Sequence, residues 1–296
     1  MTRVQANLVL LLAGAMWGMG FIAQSTAMDA IGPFLFVGLR FLFATLAMLP
    51  FALREASKAP DALASESWIW FASIGLLLFG AMAAQQVGLL TTTVTNSGFL
   101  TGLYVVMVPF LAVLLFRQWP HPVVWPAAFC ALAGIWLLSG GSVSRLTTGD
   151  WLTVLCAWLW ALQVIFTGRH AVATGRPVTL AVTQFAVCGA LGLVVGLVLE
   201  PFEPAAIWRA MPEILYAGIV SGGIAFTLQA VGQRYTTAPQ AAIFLSSETV
   251  FAALFGALLL GERMAAIGLA GCALILAAIL SVEVVPALAK RRRIAS

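Results

Sequence analysis

SWIWFASIGLLLFGAMAAQQVGLLTTTVTNSGFLTGLYVVMVPFLAVLLF, residues 67–116, holds 50 consecutive residues without a charge. A membrane helix needs about 20 apolar residues, so this stretch is long enough for two crossings. The polar cluster Thr91 to Gly98 in its middle reads as the turn between them. Working outward, eight further apolar segments lie near 8–28, 33–53, 122–139, 151–168, 177–199, 212–232, 239–260 and 264–285. The first pair's own limits are near 67–90 and 95–116. All ten are too long for strands and lack the two-residue alternation of a membrane barrel. The reading is an all-α integral membrane protein with ten transmembrane helices.

Composition agrees. The chain has 296 residues, 62% hydrophobic and 9% charged. Soluble domains carry about 25% charged residues, so a soluble globule is excluded. The net charge of +4 does not indicate nucleic acid, because the basic residues are scattered through short loops. Cys130, Cys156, Cys188 and Cys272 all fall in apolar runs, which argues against a disulfide framework.

The second half repeats the first. At an offset of 144, Pro33 matches Pro177, Phe41 matches Phe185, Gln85 matches Gln229 and Gly88 matches Gly232. Thr92-Thr93 matches Thr236-Thr237 and Leu114-Leu115 matches Leu258-Leu259. With one residue of slippage Trp17 stands opposite Trp160, and with a two-residue deletion Cys130-Ala131-Leu132 stands opposite Cys272-Ala273-Leu274. The order of these matches and their rare residue types carry the signal. Residues 1–144 and 145–296 are therefore expected to be two five-helix units. Five is odd, so the second unit enters the membrane from the opposite side, which makes an inverted repeat. The recurrence of the first segment also argues against a cleaved signal peptide.

Lys and Arg set the expected orientation. With the N-terminus inside, the inner segments hold Arg3, Arg54, Lys58, Arg117, Arg169, Arg176, Arg234, Lys290, Arg291, Arg292 and Arg293. The outer loops hold Arg145, Arg209 and Arg263. The excess places both termini in the cytoplasm, as in a multi-pass protein of a bacterial-type inner membrane. Trp68, Trp70, Trp119, Trp125, Trp136, Trp151 and Trp208 sit near segment ends, as an interfacial aromatic belt does. Trp17, Trp158 and Trp160 are deep and need another role.

Enzyme chemistry finds no inventory. His121 and His170 are read into loops, so no His-based metal site is expected in the membrane. Neither Lys58 nor Lys290 sits in a Gly-Lys-Ser/Thr motif, so no ATP hydrolysis is expected. No cofactor and no ATPase subunit are called for.

Arg40 and Glu248 are the ionisable residues deep in helices, where such groups mark functional sites. Glu248 is suited to a substrate ammonium group, to a proton, or to a structural role as a buried acid. Arg40 near the outer side, Gln85 expected near the outer mouth and Gln229 near the inner one suit gating or structure. Polar and aromatic residues recur on single faces of six helices at steps of three and four. They include Trp17, Phe21 and Gln24; Met82, Gln85 and Gln86; Ser97, Thr101 and Tyr104; Trp160, Gln163 and Thr167; Phe226 and Gln229; and Gln240, Phe244, Ser247 and Glu248. Of these, Trp17, Tyr104, Trp160 and Phe244 are placed to enclose a substrate. Gln163, Ser247 and Glu248 are placed to bind its polar end. One deep Arg is too few for phosphorylated substrates, which need several cations. Gly222-Gly223 and Pro109 are the expected bending points.

Several motifs resemble the drug/metabolite transporter superfamily in its EamA-type branch. They are Trp17-Gly18, Leu39-Arg40-Phe41, and Glu248-Thr249-Val250 followed by Leu260-Gly261-Glu262-Arg263. The family often has Pro where this chain has Thr249, so less helix distortion is expected there. Within the family the chain looks most like the aromatic amino acid exporters of the YddG type. The resemblance implies export of amino acids, probed against two alternatives: export of other small metabolites or drugs, and a passive channel or structural membrane protein.

Overall fold

The structure is a computed structural model. It describes residues 1–92, 94–138, 146–260 and 265–295, with side chains at all of these but 25, 94–96, 259, 260, 287 and 289–295. The expected boundary between residues 144 and 145, Arg145 and the Gly261-Glu262-Arg263 motif lie outside the described residues.

The described residues form helices and no strand. In chain order they are α1 (Arg3–Ala27), α2 (Pro33–Ser57), α3 (Ser65–Gly88), α4 (Val94–Gly102 and Tyr104–Phe116), α5 (Val124–Leu138), α6 (Thr148–Thr174), α7 (Pro177–Leu199), α8 (Met211–Gln233), α9 (Ala238–Leu245 and Ser247–Leu260) and α10 (Ala266–Ala295). A short six-residue helix, Pro204–Arg209, precedes α8. Nine of the spans among the described residues have the length and apolarity to cross a bilayer, and Val124–Leu138 is a shorter tenth. The outer faces expose Leu46, Ile69, Leu114 and Val198. In water such a surface would be an aggregation hazard, and in lipid it is the solvent-facing surface.

The packing is two-fold. α2 lies along α7 and α5 along α10, so each of these pairs joins a helix to its own counterpart. α1 packs on α8 and α9, as α6 packs on α3 and α4. The seams are made by glycines. A Cβ at Gly192 would come 2.6 Å from the Gly38 nitrogen, and one at Gly189 would come 3.0 Å from the Leu42 nitrogen. Side chains are therefore absent where α2 and α7 touch backbone to backbone. Residues near the pseudo-twofold axis meet their own counterparts. Phe41 and Phe185 approach to 5.9 Å between ring centroids, and Trp17 and Trp160 to 5.5 Å.

The α2–α7 seam is closed by a carboxylate at each end. The first backbone N–H groups of a helix have no partner within it and carry the positive end of its dipole. At the start of α2, Phe34 and Leu35 donate their N–H groups to the two oxygens of Glu200, both at 2.8 Å. At the start of α7, Val178 and Thr179 donate theirs to Glu55 at 3.1 and 2.7 Å.

Three expectations are corrected. α6 runs on to Thr174, so His170 is in a helix, stacked on Trp70 at 4.8 Å, rather than in a loop. Thr95 to Gly98, read as part of a turn, belong to α4, which begins at Val94. The interruption in α4 falls at Leu103, not at Pro109. Gly102 sits against Ile135 of α5, and glycine weakens the helix at that point.

Candidate functional site

Two kinds of helix irregularity meet at the centre. α4 and α9 are each broken near mid-membrane, at Leu103 and at Ser246, within one residue of equivalent positions of the two units. α9 is broken even with Thr249 in place of Pro. Hydroxyls accompany the interruption. Ser246 Oγ donates to the Ile243 carbonyl at 2.7 Å, and Thr249 Oγ1 donates to the Ser246 carbonyl at 2.8 Å. Such back-bonding competes with the helical ladder and bends it. The second half-helix therefore starts at Ser247, and Glu248 lies in its first turn, at the positive end of a helix dipole. Discontinuous helices of this kind build the binding sites of many secondary transporters.

α8 contributes the other irregularity. Tyr216–Ile224 winds as a nine-residue π-helix that contains Gly222-Gly223. Such segments are rare and concentrate at functional sites. Two bonds fasten it to α1 from both sides. Trp17 Nε1 donates to the Ser221 carbonyl at 2.9 Å, and Tyr216 Oη donates to the Met16 carbonyl at 3.2 Å. On the opposite face of α1, Gly14 and Gly18 press onto α9 at the break. A Cβ on Gly18 would lie 2.7 Å from the Glu248 carbonyl oxygen.

Between these elements is a cavity of about 20 Å³, room for about one water molecule. Its aromatic wall is Trp17, Trp160, Phe21 and Phe226, and its polar wall is Gln24, Arg40, Gln85, Thr101, Ser221 and Glu248. Trp17, Trp160 and Phe226 are in mutual contact, with ring centroids 4.8 to 5.5 Å apart. Arg40 is 1% exposed, lies over the Phe36 and Phe41 rings, and donates from Nη1 to Gln24 Oε1 at 2.8 Å. Gln85 donates to Thr101 at 3.1 Å. Neither Arg40 nor Glu248 forms an ion pair among the described residues. Burying one charge of each sign around the same small space, unpaired, is costly in a low dielectric. Arg40 Nε and Trp160 Nε1 have no hydrogen-bond partner there either.

Of the residues singled out by sequence, Trp17, Arg40, Gln85, Trp160 and Glu248 come together on this cavity. Tyr104 stands behind Trp160, 6.5 Å between centroids, fully buried with its hydroxyl unpartnered. Phe244 and Ser247 are buried in α9 beside the break, with Ser247 under Gly14. Gln163 and Gln229 are bonded to each other at 3.1 Å, off the cavity. Trp158 is 41% exposed, on the outer surface. Ser221 is a site residue that sequence alone did not single out. Its contribution is a backbone carbonyl, within the π-helix, that accepts the Trp17 indole N–H, and the adjacent Gly222-Gly223 was the available signal. A larger depression of about 340 Å³ between α3 and α6, around Trp70, Leu77 and Phe166, faces outward and is apolar.

The fold and site define a helical integral membrane protein with a small polar and aromatic cavity buried at its centre. The EamA-like transporter family matches the chain twice, over residues 4–140 and 147–283. An uncharacterized transporter of Archaeoglobus fulgidus is 30% identical over 287 residues, covering 95% of this chain and 86% of that protein. The uncharacterized transporter YwfM of Bacillus subtilis is 25% identical over 293 residues, covering 95% and 94%. A solved structure with 19% identity superposes with a TM-score of 0.79 over 95% of this chain and 97% of that one, which speaks for the fold alone. The chain belongs to the EamA-like transporter family. It is a multi-pass membrane transporter.

Proposed function

We propose that this transporter exports amino acids, aromatic ones among them, from the cytoplasm by alternating access. One observation carries the reading. Arg40 and Glu248, unpaired with each other, border a single buried cavity beside three aromatic rings. An amino acid brings a carboxylate for the guanidinium and an ammonium group for the carboxylate. Its side chain packs against Trp17, Trp160 and Phe226. This would satisfy both charges at once, which neither a neutral nor a phosphorylated solute would do. The inverted repeat supports alternating access, because two pseudosymmetric halves can exchange roles around a fixed centre. Substrate affinity of the aromatic kind is what the resemblance to the YddG type implies. The distribution of Lys and Arg supports termini in the cytoplasm and an inner-membrane location. No ATPase subunit is needed.

Reconstitution into liposomes with a panel of labelled amino acids, with and without a pH gradient, tests the reading. Saturable flux with counterflow for Phe and Trp is expected. Absence of flux for every amino acid would overturn the substrate class, and flux without counterflow would make the protein a channel.

A further inference from the structure

The two-fold relation pairs the polar wall of the cavity with a second polar group. Gln24, Arg40 and Gln85 correspond to Thr167, Gln184 and Gln229 at offsets of 143, 144 and 144. The first three lie in the membrane half away from the face where α1 begins. The second three lie in the half toward that N-terminal face. There the side chains are closed up. Gln229 Nε2 donates to Gln163 Oε1 at 3.1 Å, and Gln163 Nε2 donates to Gln184 Oε1 at 2.9 Å. All three glutamines are fully buried, as is Thr167.

Three amides buried among apolar side chains are costly unless their hydrogen bonds are made. A purely structural clamp would close on itself. This one ends open: Gln184 Nε2 and Gln229 Oε1 lack hydrogen-bond partners, and so does Thr167 Oγ1 on α6, one turn beyond Gln163. A free donor ends the chain on one side and a free acceptor on the other. Those are the complements of a carboxylate and an ammonium group.

We infer that Gln163, Gln184, Gln229 and Thr167 form a second substrate site, which binds the polar end of an amino acid when the carrier is open toward the N-terminal face. The inference rests on the proposed function. Gln184 occupies the place of Arg40, so a neutral amide replaces a guanidinium. Hydrogen bonds to a charged group are about twice as strong as neutral ones. The N-terminal face should therefore show a half-saturation concentration about five- to tenfold above that of the opposite face.

The test uses the full-length protein in liposomes, with phenylalanine supplied to one face at a time. Gln184→Leu and Gln229→Leu should raise half-saturation at the N-terminal face at least fivefold and leave the opposite face within twofold. Arg40→Gln should bring the two faces within twofold of each other. Equal shifts at both faces, or none at either, would overturn the second site while wild-type flux still upholds amino acid transport. Absence of phenylalanine flux in the wild type would overturn both. Should the leucine variants fail to fold, Gln229→Cys supplies the readout. Labelling above the parent level by a cationic methanethiosulfonate added at the N-terminal face, slowed by phenylalanine, is expected. Unprotected or absent labelling counts against the site.

Discussion

Glu55 and Glu200 close the same antiparallel helix pair from opposite ends, each carboxylate capping the helix that bears the other. The pairs of amides they bind are related by an offset of 144. The cap is built from a partner helix, so it ties secondary structure to tertiary packing. Replacing Glu200 or Glu55 by Ala should cost about 1–2 kcal/mol each, the loss of a charged N-cap. The sites are at opposite membrane faces, so the double variant should show the sum. Unfolding in detergent measures this, and a double variant no less stable than either single one would contradict the reciprocal arrangement.

The two central tryptophans are equivalent by sequence and unequal by bonding. Trp17 Nε1 reaches the Ser221 carbonyl in the π-helix, whereas Trp160, packed against Trp17, Tyr104 and Phe226, has an Nε1 without a partner. Trp17→Phe should lose about 1 kcal/mol of stability, and Trp160→Phe close to none. Equal losses in thermal unfolding would place the difference elsewhere.

Alanine at either position probes the substrate. Under the proposed function, Trp17→Ala and Trp160→Ala should weaken phenylalanine and tryptophan transport two- to tenfold more than alanine or threonine transport. That range follows from an aromatic contact worth about 0.5–1.5 kcal/mol beyond area burial. A uniform loss across the panel would assign the rings to packing.

Glu248 separates two mechanisms. Glu248→Gln should raise half-saturation for amino acids at every pH if the carboxylate holds the ammonium group. If it carries a proton instead, the variant should keep exchange and lose the pH dependence of net flux. Flux assays across a pH series decide between them, and wild-type behaviour in both respects would remove Glu248 from the mechanism.

Gly18→Ala places a methyl group 2.7 Å from both the Ala252 nitrogen and the Glu248 carbonyl oxygen. Backbone cannot rotate away as a side chain can, so α1 and α9 must separate. A loss of about 1–3 kcal/mol is expected, typical of overpacking. It should come with impaired transport, since the contact is at the break in α9.

Much of this fold was legible because the bilayer imposes a simple rule on sequence. Long apolar runs mark helices, and ordered matches of Trp, Pro and Gln mark the repeat. Trp17, Trp160, Arg40 and Glu248 stood out because bulky or charged groups at that depth are costly unless they face a site. What sequence did not show were the backbone events. The break at Ser246 is accompanied by hydroxyls that bond back to carbonyls, and the same residues occur in regular helices. The π-helix of α8 moved Ser221 into the site through its carbonyl, which no side-chain pattern records. The spacing also groups Gln163 with Trp160 on one face, yet its amide lies off the central cavity, bonded to Gln184 and Gln229, because side-chain reach within a face is not fixed by helical spacing.

The α2–α7 seam has a use outside transport itself. Gly38 and Gly192 are in backbone contact, too close for a methyl group, and carboxylates lock both ends. Under the proposed alternating access, a pair of this tightness is expected to move as one body while the broken helices rearrange around it. Spectroscopic probes placed on its two ends would keep one separation in every state. They would give an internal ruler, a fixed length against which displacements of α4 and α9 are read.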